Sequence, residues 1–311
     1  MKFAFVFPGQ GSQSVGMMSG YSDLPVIQET FQEASDILKQ DFWSMVNDGP
    51  PDDLNLTINT QPLMLIAGVA VYRAWTSLGG CEPAMLAGHS LGEYTALVVA
   101  EVLSFADALA LVRFRAQAMQ RAVPEGIGGM AAILGLEDGA IQSLCHDVTQ
   151  QRTGESLEPA NFNSPGQVVI AGHKNALLQG IEMAKQKGAK RAIMLPMSIP
   201  SHCSLMKPAA DSMQLQLQNI ALKAPKITIL HNADVKPHLD TASIKEILIQ
   251  QLVSPVRWVD TIHAFAAAGI THVVECGPGK VLVGLNKRID QNIQYVSLID
   301  SEALKQTVSL R

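Results

Sequence analysis

The chain has 311 residues, 47% of them hydrophobic and 16% charged, with a formal net charge of −5. This length and apolar content support a substantial core, in one large domain or a large domain with a smaller companion, and they exclude a disordered chain. No long run of one charge sign is present, which argues against generic nucleic-acid binding.

Phe3 to Phe7 is a short apolar run stopped by Pro8-Gly9, the pattern of a strand buried on both faces of a parallel sheet. The stretch Met1 to Phe7 is too short for the roughly 7–15-residue apolar core of a secretory signal. No uncharged apolar run reaches the ~20 residues of a membrane span. A glycine-rich turn, Gly9-Gln10-Gly11-Ser12-Gln13, follows the strand; it lacks both the G-x-G-x-x-G spacing and a Walker lysine. Helical spacing predicts helices over 26–39 and 61–78, the second with Thr60 as its cap and Pro62 in its first turn. Ala84 to Ala87 reads as a strand that runs into Gly88-His89-Ser90-Leu91-Gly92 and then an apolar helix to about Ala100. A further helix is expected over 104–121.

The pattern changes near Pro124. Strands are expected at 129–134, 157–162, 167–171 and 191–195, with helices at 137–150 and 174–187 and a hairpin turn at Asn163-Ser164-Pro165-Gly166. The order β-α-β-β-α-β is the ferredoxin-like unit. The α/β alternation then resumes, with helices at 204–220, 243–252 and 258–269 and strands at 227–230, 271–275 and 294–298. The fold expected is α/β: an α/β-hydrolase-like large domain with a parallel sheet, discontinuous over 1–126 and 199–311, plus an inserted ferredoxin-like α+β subdomain over 127–198.

Cys81, Cys145, Cys203 and Cys276 form no C-x-x-C pair and read as reduced thiols of a cytoplasmic protein. Gly88-His89-Ser90-Leu91-Gly92 matches the nucleophile elbow G-x-S-x-G in its required context, after a strand and before a helix. The serine must sit on a sharp, strained turn, and small residues at −2 and +2 relieve the crowding there. A serine hydroxyl needs a base to take its proton. His89 adjoins Ser90 in the turn, which points it elsewhere. His202, on the loop Ile199-Pro200-Ser201-His202-Cys203 at the seam of the two domains, is the better candidate. His146, His173, His238 and His263 read as structural or exposed, and Cys203 as a small buried thiol. No carboxylate stands out as the third triad member. Asp211, Asp234 and Asp260 qualify by position only, and a carbonyl could orient the imidazole equally well.

Phe7-Pro8-Gly9-Gln10-Gly11-Ser12-Gln13, Gly88-His89-Ser90-Leu91-Gly92-Glu93 and Pro200-Ser201-His202-Cys203 occur in this order, with Asn161 to Gln167 and Glu275-Cys276-Gly277-Pro278-Gly279-Lys280 between and beyond them. With these motifs the chain resembles the malonyl-CoA:acyl carrier protein transacylases over essentially its whole length. The resemblance implies that Ser90 carries the acyl group, that His202 is its base, and that the main-chain carbonyl of Gln251 orients the imidazole. It implies an oxyanion hole made by the N–H groups of Gln10 and Leu91, the latter following the nucleophile as the elbow requires. Arg115 matches the arginine that grips the malonyl carboxylate, a task suited to a planar, bidentate cation. Arg113, two positions away, lies on a different helix face. Asn161 resembles a position in the family's cleft. Polyketide acyltransferases that select malonyl often carry Phe before the histidine; stand-alone malonyl enzymes resemble this chain in having serine there, Ser201.

The activity implied is transfer of a malonyl group from malonyl-CoA to the phosphopantetheine thiol of an acyl carrier protein, for fatty-acid or polyketide synthesis, with no metal or redox cofactor. A serine hydrolase would share the elbow, but would not need Arg115 and usually carries a His-Gly-Gly-Gly loop that is absent here. An acyltransferase selecting another acyl-CoA is a narrower alternative. A carrier-binding scaffold without activity sits poorly with intact Ser90, His202 and Arg115. The partners expected are an acidic carrier protein and the coenzyme A thioester, with no nucleic acid, no membrane and a monomeric enzyme. Two basic groups are candidates for carrier docking: Lys185, Lys187, Lys190 and Arg191 near the end of the insert, and Lys280, Lys287 and Arg288 on a C-terminal helix.

Overall fold

Strand β1, Phe3–Phe7, is wholly buried because its two faces serve two cores: Phe3, Phe5 and Phe7 pack into one apolar cluster, Ala4 and Val6 into another. This is the buried central strand that a continuous apolar run demands. The computed structural model describes residues 2–309; Met1, at the head of the N-terminal stretch, and residues 310 and 311 lie outside the described residues. The other strands are β2 (Met85–Gly88), β3 (Gly128–Leu134), β4 (Leu157–Ser164), β5 (Gln167–His173), β6 (Arg191–Met194), β7 (Thr228–Leu230), β8 (His272–Glu275) and β9 (Gln294–Ser297).

Five strands form a parallel sheet in the order β7-β2-β1-β8-β9. The C-terminal ends of β1, β2 and β7 therefore lie side by side, and the loops after them, at 8–13, 89–91 and 231–238, open on one edge, where open parallel sheets place their ligands. The second sheet is antiparallel, order β4-β5-β3-β6, with helices Asp138–Gln151 and Lys174–Gln186 between its strands, as the β-α-β-β-α-β reading requires. Ala131, Ile133, Val168 and Ile170 pack with these helices, while Met130, Ala160, Val169 and Ala171 on the other face gather round Cys203. An isolated parallel bridge, Asn161 to Val256, splices β4 onto the large domain.

Most helices stand within a few residues of the spans expected. The helix expected from 61 starts at Thr57 instead, after Leu56, so Thr60 is no cap: its hydroxyl donates back to the carbonyls of Leu54 and Leu56. Pro62 then lies inside the helix rather than in its first turn, at the cost of one backbone hydrogen bond. The single helix expected over 204–220 is a 3₁₀ turn, Ser204–Met206, followed by a helix Lys207–Gln218 that opens with Pro208 in its first turn. Lys280 sits at the start of helix Val281–Ile289, which carries Lys287 and Arg288. Short helices Phe42–Asp48 and Pro51–Asn55 and a last helix Ser301–Ser309 were not expected. No helix among the described residues is long and apolar enough to cross a membrane.

Candidate active site

The elbow is built by crowding. A Cβ on Gly88 would lie 1.8 Å from the carbonyl carbon of Gly92, and one on Gly92 would lie 2.1 Å from the Phe7 carbonyl oxygen, so neither position tolerates a side chain. Between them the backbone turns sharply enough to hold Ser90 at φ +53°, in the left-handed region. Helix Gly92–Val99 begins directly behind it.

Ser90 Oγ lies 2.7 Å from His202 Nε2. His202 is itself at φ +62° and only 3% exposed, and its Nδ1 lies 2.8 Å from the main-chain oxygen of Gln251. That carbonyl can only accept, so Nδ1 carries the proton and Nε2 faces the hydroxyl as a lone pair. Burial, reinforced by the positive charge of Arg115, pushes the imidazole down to about 3, so it is neutral and able to accept a proton. The three aspartates considered as triad members are engaged elsewhere: Asp211 with Lys207, Asp234 with His238 and Asp260 with Arg257. His89 turns away from the cleft's chemistry, its Nε2 2.8 Å from Asn163 Oδ1 and its ring against Trp258. Cys203 is fully buried, donates to the Pro200 carbonyl, and has its thiol pushed up to about 12 by burial.

Arg115, on helix Phe105–Ala122, reaches the same point from below. It is 1% exposed, yet no carboxylate among the described residues lies within ion-pair distance of it. Its Nη1 donates to Gln61 Oε1 at 2.9 Å and its Nη2 to Gln251 Oε1 at 2.9 Å and to Ser90 Oγ at 3.3 Å. A desolvated guanidinium held by neutral amides, with its fork beside a serine hydroxyl, is a receptor for an anion. Arg113 faces away, bonded to Gln40 and stacked over Phe42.

These groups open into one cleft of about 170 Å³ lined by Gln10, Ser90, Leu91, Arg115, Asn161 and His202 among others, with Met119, Met130, Leu195 and Met197 as its apolar walls. Among the described residues neither the Gln10 nor the Leu91 N–H donates to a protein acceptor. Asn161 is 6% exposed and projects from β4 into the cleft. A larger groove of about 650 Å³, near Tyr72, Phe105 and Lys223, contains none of these residues.

An acyl transferase domain model matches residues 4–299. The malonyl CoA-acyl carrier protein transacylase of Salmonella typhimurium is 50% identical over 304 residues, covering 97% of each chain. The chain belongs to the malonyl CoA-acyl carrier protein transacylase family. The crystal structure of an acyl-carrier-protein S-malonyltransferase from Burkholderia pseudomallei is 55% identical and superposes over 100% of both chains with a TM-score of 0.97. A malonyl-transacylase solved in complex with its type II polyketide acyl-carrier protein is 44% identical, with full coverage of both chains and a TM-score of 0.97.

Within this transacylase fold several polar residues at the site escaped the sequence. The side chain of Gln251 donates from Nε2 to the Ser90 carbonyl at 3.0 Å and to Glu93 Oε2 at 2.9 Å, besides accepting from Arg115. Glu93, fully buried, also meets His231 Nδ1 at 2.7 Å and the Asn232 N–H at 3.0 Å. Gln61 holds the other arm of Arg115. The one available signal was position: His231 and Asn232 follow β7 directly, at the sheet edge where the elbow also emerges.

Proposed function

We propose that this chain transfers a malonyl group from malonyl-CoA to the phosphopantetheine thiol of an acyl carrier protein. The observation that carries this reading is Arg115, a buried cation with no carboxylate within ion-pair distance among the described residues, whose Nη2 stands 3.3 Å from the Ser90 hydroxyl. In a malonyl thioester the carboxylate is one methylene from the carbonyl carbon. A carbonyl attacked by Ser90 Oγ therefore presents its carboxylate within reach of the guanidinium.

Ser90 attacks the thioester carbonyl as its proton passes to His202 Nε2. The oxyanion accepts from the N–H groups of Gln10 and Leu91, each such donor being worth about 10²–10³ in rate. The carbon–sulfur bond breaks, coenzyme A leaves with the proton from His202, and malonyl-Ser90 remains. The carrier thiol then gives its proton to His202, its sulfur attacks the ester, and Ser90 takes the proton back. Atoms and electrons balance without a metal, hydride donor or electron sink, so no cofactor is required. Gln251 orients the base through its carbonyl, and Asn161 lines the acyl pocket. Four free cysteines suit a reducing cytoplasm.

The two basic groups seen in the sequence meet in part. Leu134 of β3 pairs with Gln167 of β5 and with Arg191 of β6, and Arg288 Nη1 donates to Gln167 Oε1 at 2.8 Å. Lys190, Arg191, Lys287 and Arg288, all exposed, thus gather at one end of the antiparallel sheet. Val169, two residues along β5 from Gln167, lines the cleft. This end is our proposed landing place for an acidic carrier protein.

Intact mass spectrometry after mixing with malonyl-CoA tests the reaction. A malonyl adduct that forms on the wild type, disappears on adding carrier protein and never forms on Ser90→Ala is the expected result. Free malonate with no malonyl-carrier would mark a hydrolase and overturn the proposal.

A further inference from the structure

Ser90 is a non-glycine residue held left-handed, a strain of about 1–3 kcal/mol that survives only where the surroundings over-determine the backbone. The glycines at 88 and 92 permit that conformation; they do not enforce it. What grips the turn is Asn232, a residue 1% exposed on the loop after β7. Its Nδ2 donates to the Gly88 carbonyl at 2.6 Å and its Oδ1 accepts from the Ser90 N–H at 2.7 Å. A carbonyl only accepts and an N–H only donates, so the carboxamide fits in one orientation. Asn232 is in turn held by its own N–H on Glu93 Oε2, and Glu93 is fixed by His231 and Gln251.

We propose that Asn232 is a positioning residue for acyl transfer: its carboxamide clamps the backbone on both sides of His89, keeping Ser90 left-handed and its hydroxyl on His202. The clamp also occupies the Ser90 N–H, which leaves the Leu91 N–H as the elbow's open donor. This inference rests on Ser90 being the nucleophile, as proposed above.

The test is a rapid-quench time course of malonyl-CoA acylation followed by intact mass, which separates the rate constant from the fraction of protein acylated. Asn232→Asp is nearly isosteric and keeps an acceptor for the Ser90 N–H, but sets a second acceptor against the Gly88 carbonyl and a second carboxylate beside Glu93. The acylation rate constant is expected to fall about 10²-fold, the cost of a misplacement near 1 Å. The fraction finally acylated should equal that of the wild type. The KM for malonyl-CoA should stay within about threefold, since Arg115 is untouched. Asn232→Ala loses both contacts without the repulsion and should fall about tenfold on the same scale. If Asn232→Asp does not fold, Asn232→Ala decides on the same two readouts. A folded variant whose rate constant lies within about threefold of wild type, or a loss seen only in the acylated fraction, would overturn the clamp. Absence of an adduct on the wild type would instead bring down the functional reading, and the clamp with it.

Discussion

Replacing Arg115 by alanine separates the two tasks that converge on Ser90, chemistry and choice of acyl group. The guanidinium is 1% exposed, and among the described residues no carboxylate lies within ion-pair distance of it. In the malonyl complex it would supply two charge-assisted hydrogen bonds in a dry pocket, each worth about 1.5–3 kcal/mol. Together they amount to about 3–6 kcal/mol, which overlaps the roughly 3–5 kcal/mol lost when one partner is removed from a buried ion pair. At about 1.4 kcal/mol per decade, kcat/KM for malonyl-CoA should drop about 10²–10⁴-fold. Acetyl-CoA offers the arginine no anion, so in the wild type its binding leaves a buried charge unpaired. Arg115→Ala removes that charge, and acetyl transfer should hold or rise. Folding should survive: Gln61 and Gln251 each lose a donor, but the cost of burying the cation is lost as well. The assay is transfer of labelled acyl groups from each thioester to holo carrier protein, with circular dichroism as the control for folding. An equal loss for both substrates in a folded variant would show that Arg115 is scaffolding and refute the reasoning.

The pH response of His202 has a definite sign. Because burial and Arg115 hold its imidazole near 3, kcat/KM for malonyl-CoA should show no acid limb at the ordinary histidine value of about 6.5, only one well below it. The same depression means that the folded state binds the proton less readily than the unfolded chain. Its contribution to stability is complete above about pH 6.5 and is lost at about 1.4 kcal/mol per pH unit on acidification towards 3. Denaturant titrations of wild type and His202→Asn at pH 7 and pH 4.5 should differ by about 2–3 kcal/mol in their acid loss, and parallel losses would contradict the assignment. For docking, a double charge reversal of Arg191 and Arg288 to glutamate should raise the carrier KM at low salt while leaving the malonyl-CoA KM unchanged. The effect should fade as salt shortens the screening length towards a few ångströms, and an unchanged carrier KM at low salt would dismiss the patch.

What the sequence made legible follows the range of the physics. The elbow is local: two glycines, a preceding strand and a following helix are contiguous in the chain, so the five residues announce themselves. The two sheets were readable because the strand periods differ, a continuous apolar run for β1 and shorter runs with turn signals in the insert. His202 and Arg115 lie 112 and 25 residues from Ser90; the place of its loop at the domain seam favoured His202 as the base, while only the family resemblance tied Arg115 to the site. The partner of His202 was silent for a different reason. It is a backbone oxygen, which any residue at 251 could supply, while the acids that looked suitable spend themselves on nearby cations. The misplaced helix start has the same origin. Thr60 has cap chemistry, but its hydroxyl is used against Leu54 and Leu56, and the helix extends past it.

Gln251 shows why selectivity and activation are hard to separate here. Its carbonyl fixes the imidazole, its Oε1 steadies the guanidinium, and its Nε2 reaches both the Ser90 carbonyl and Glu93. The cation and the base are therefore mounted on one residue, and the charge of Arg115 is, after burial, the chief influence depressing His202. An acyl carboxylate that pairs with Arg115 cancels part of that field, so the imidazole becomes more basic when the acid-bearing substrate is in place. An uncharged acyl group produces no such change. In the proposed reaction the arginine would then discriminate twice, once by holding the carboxylate and once through its field on His202.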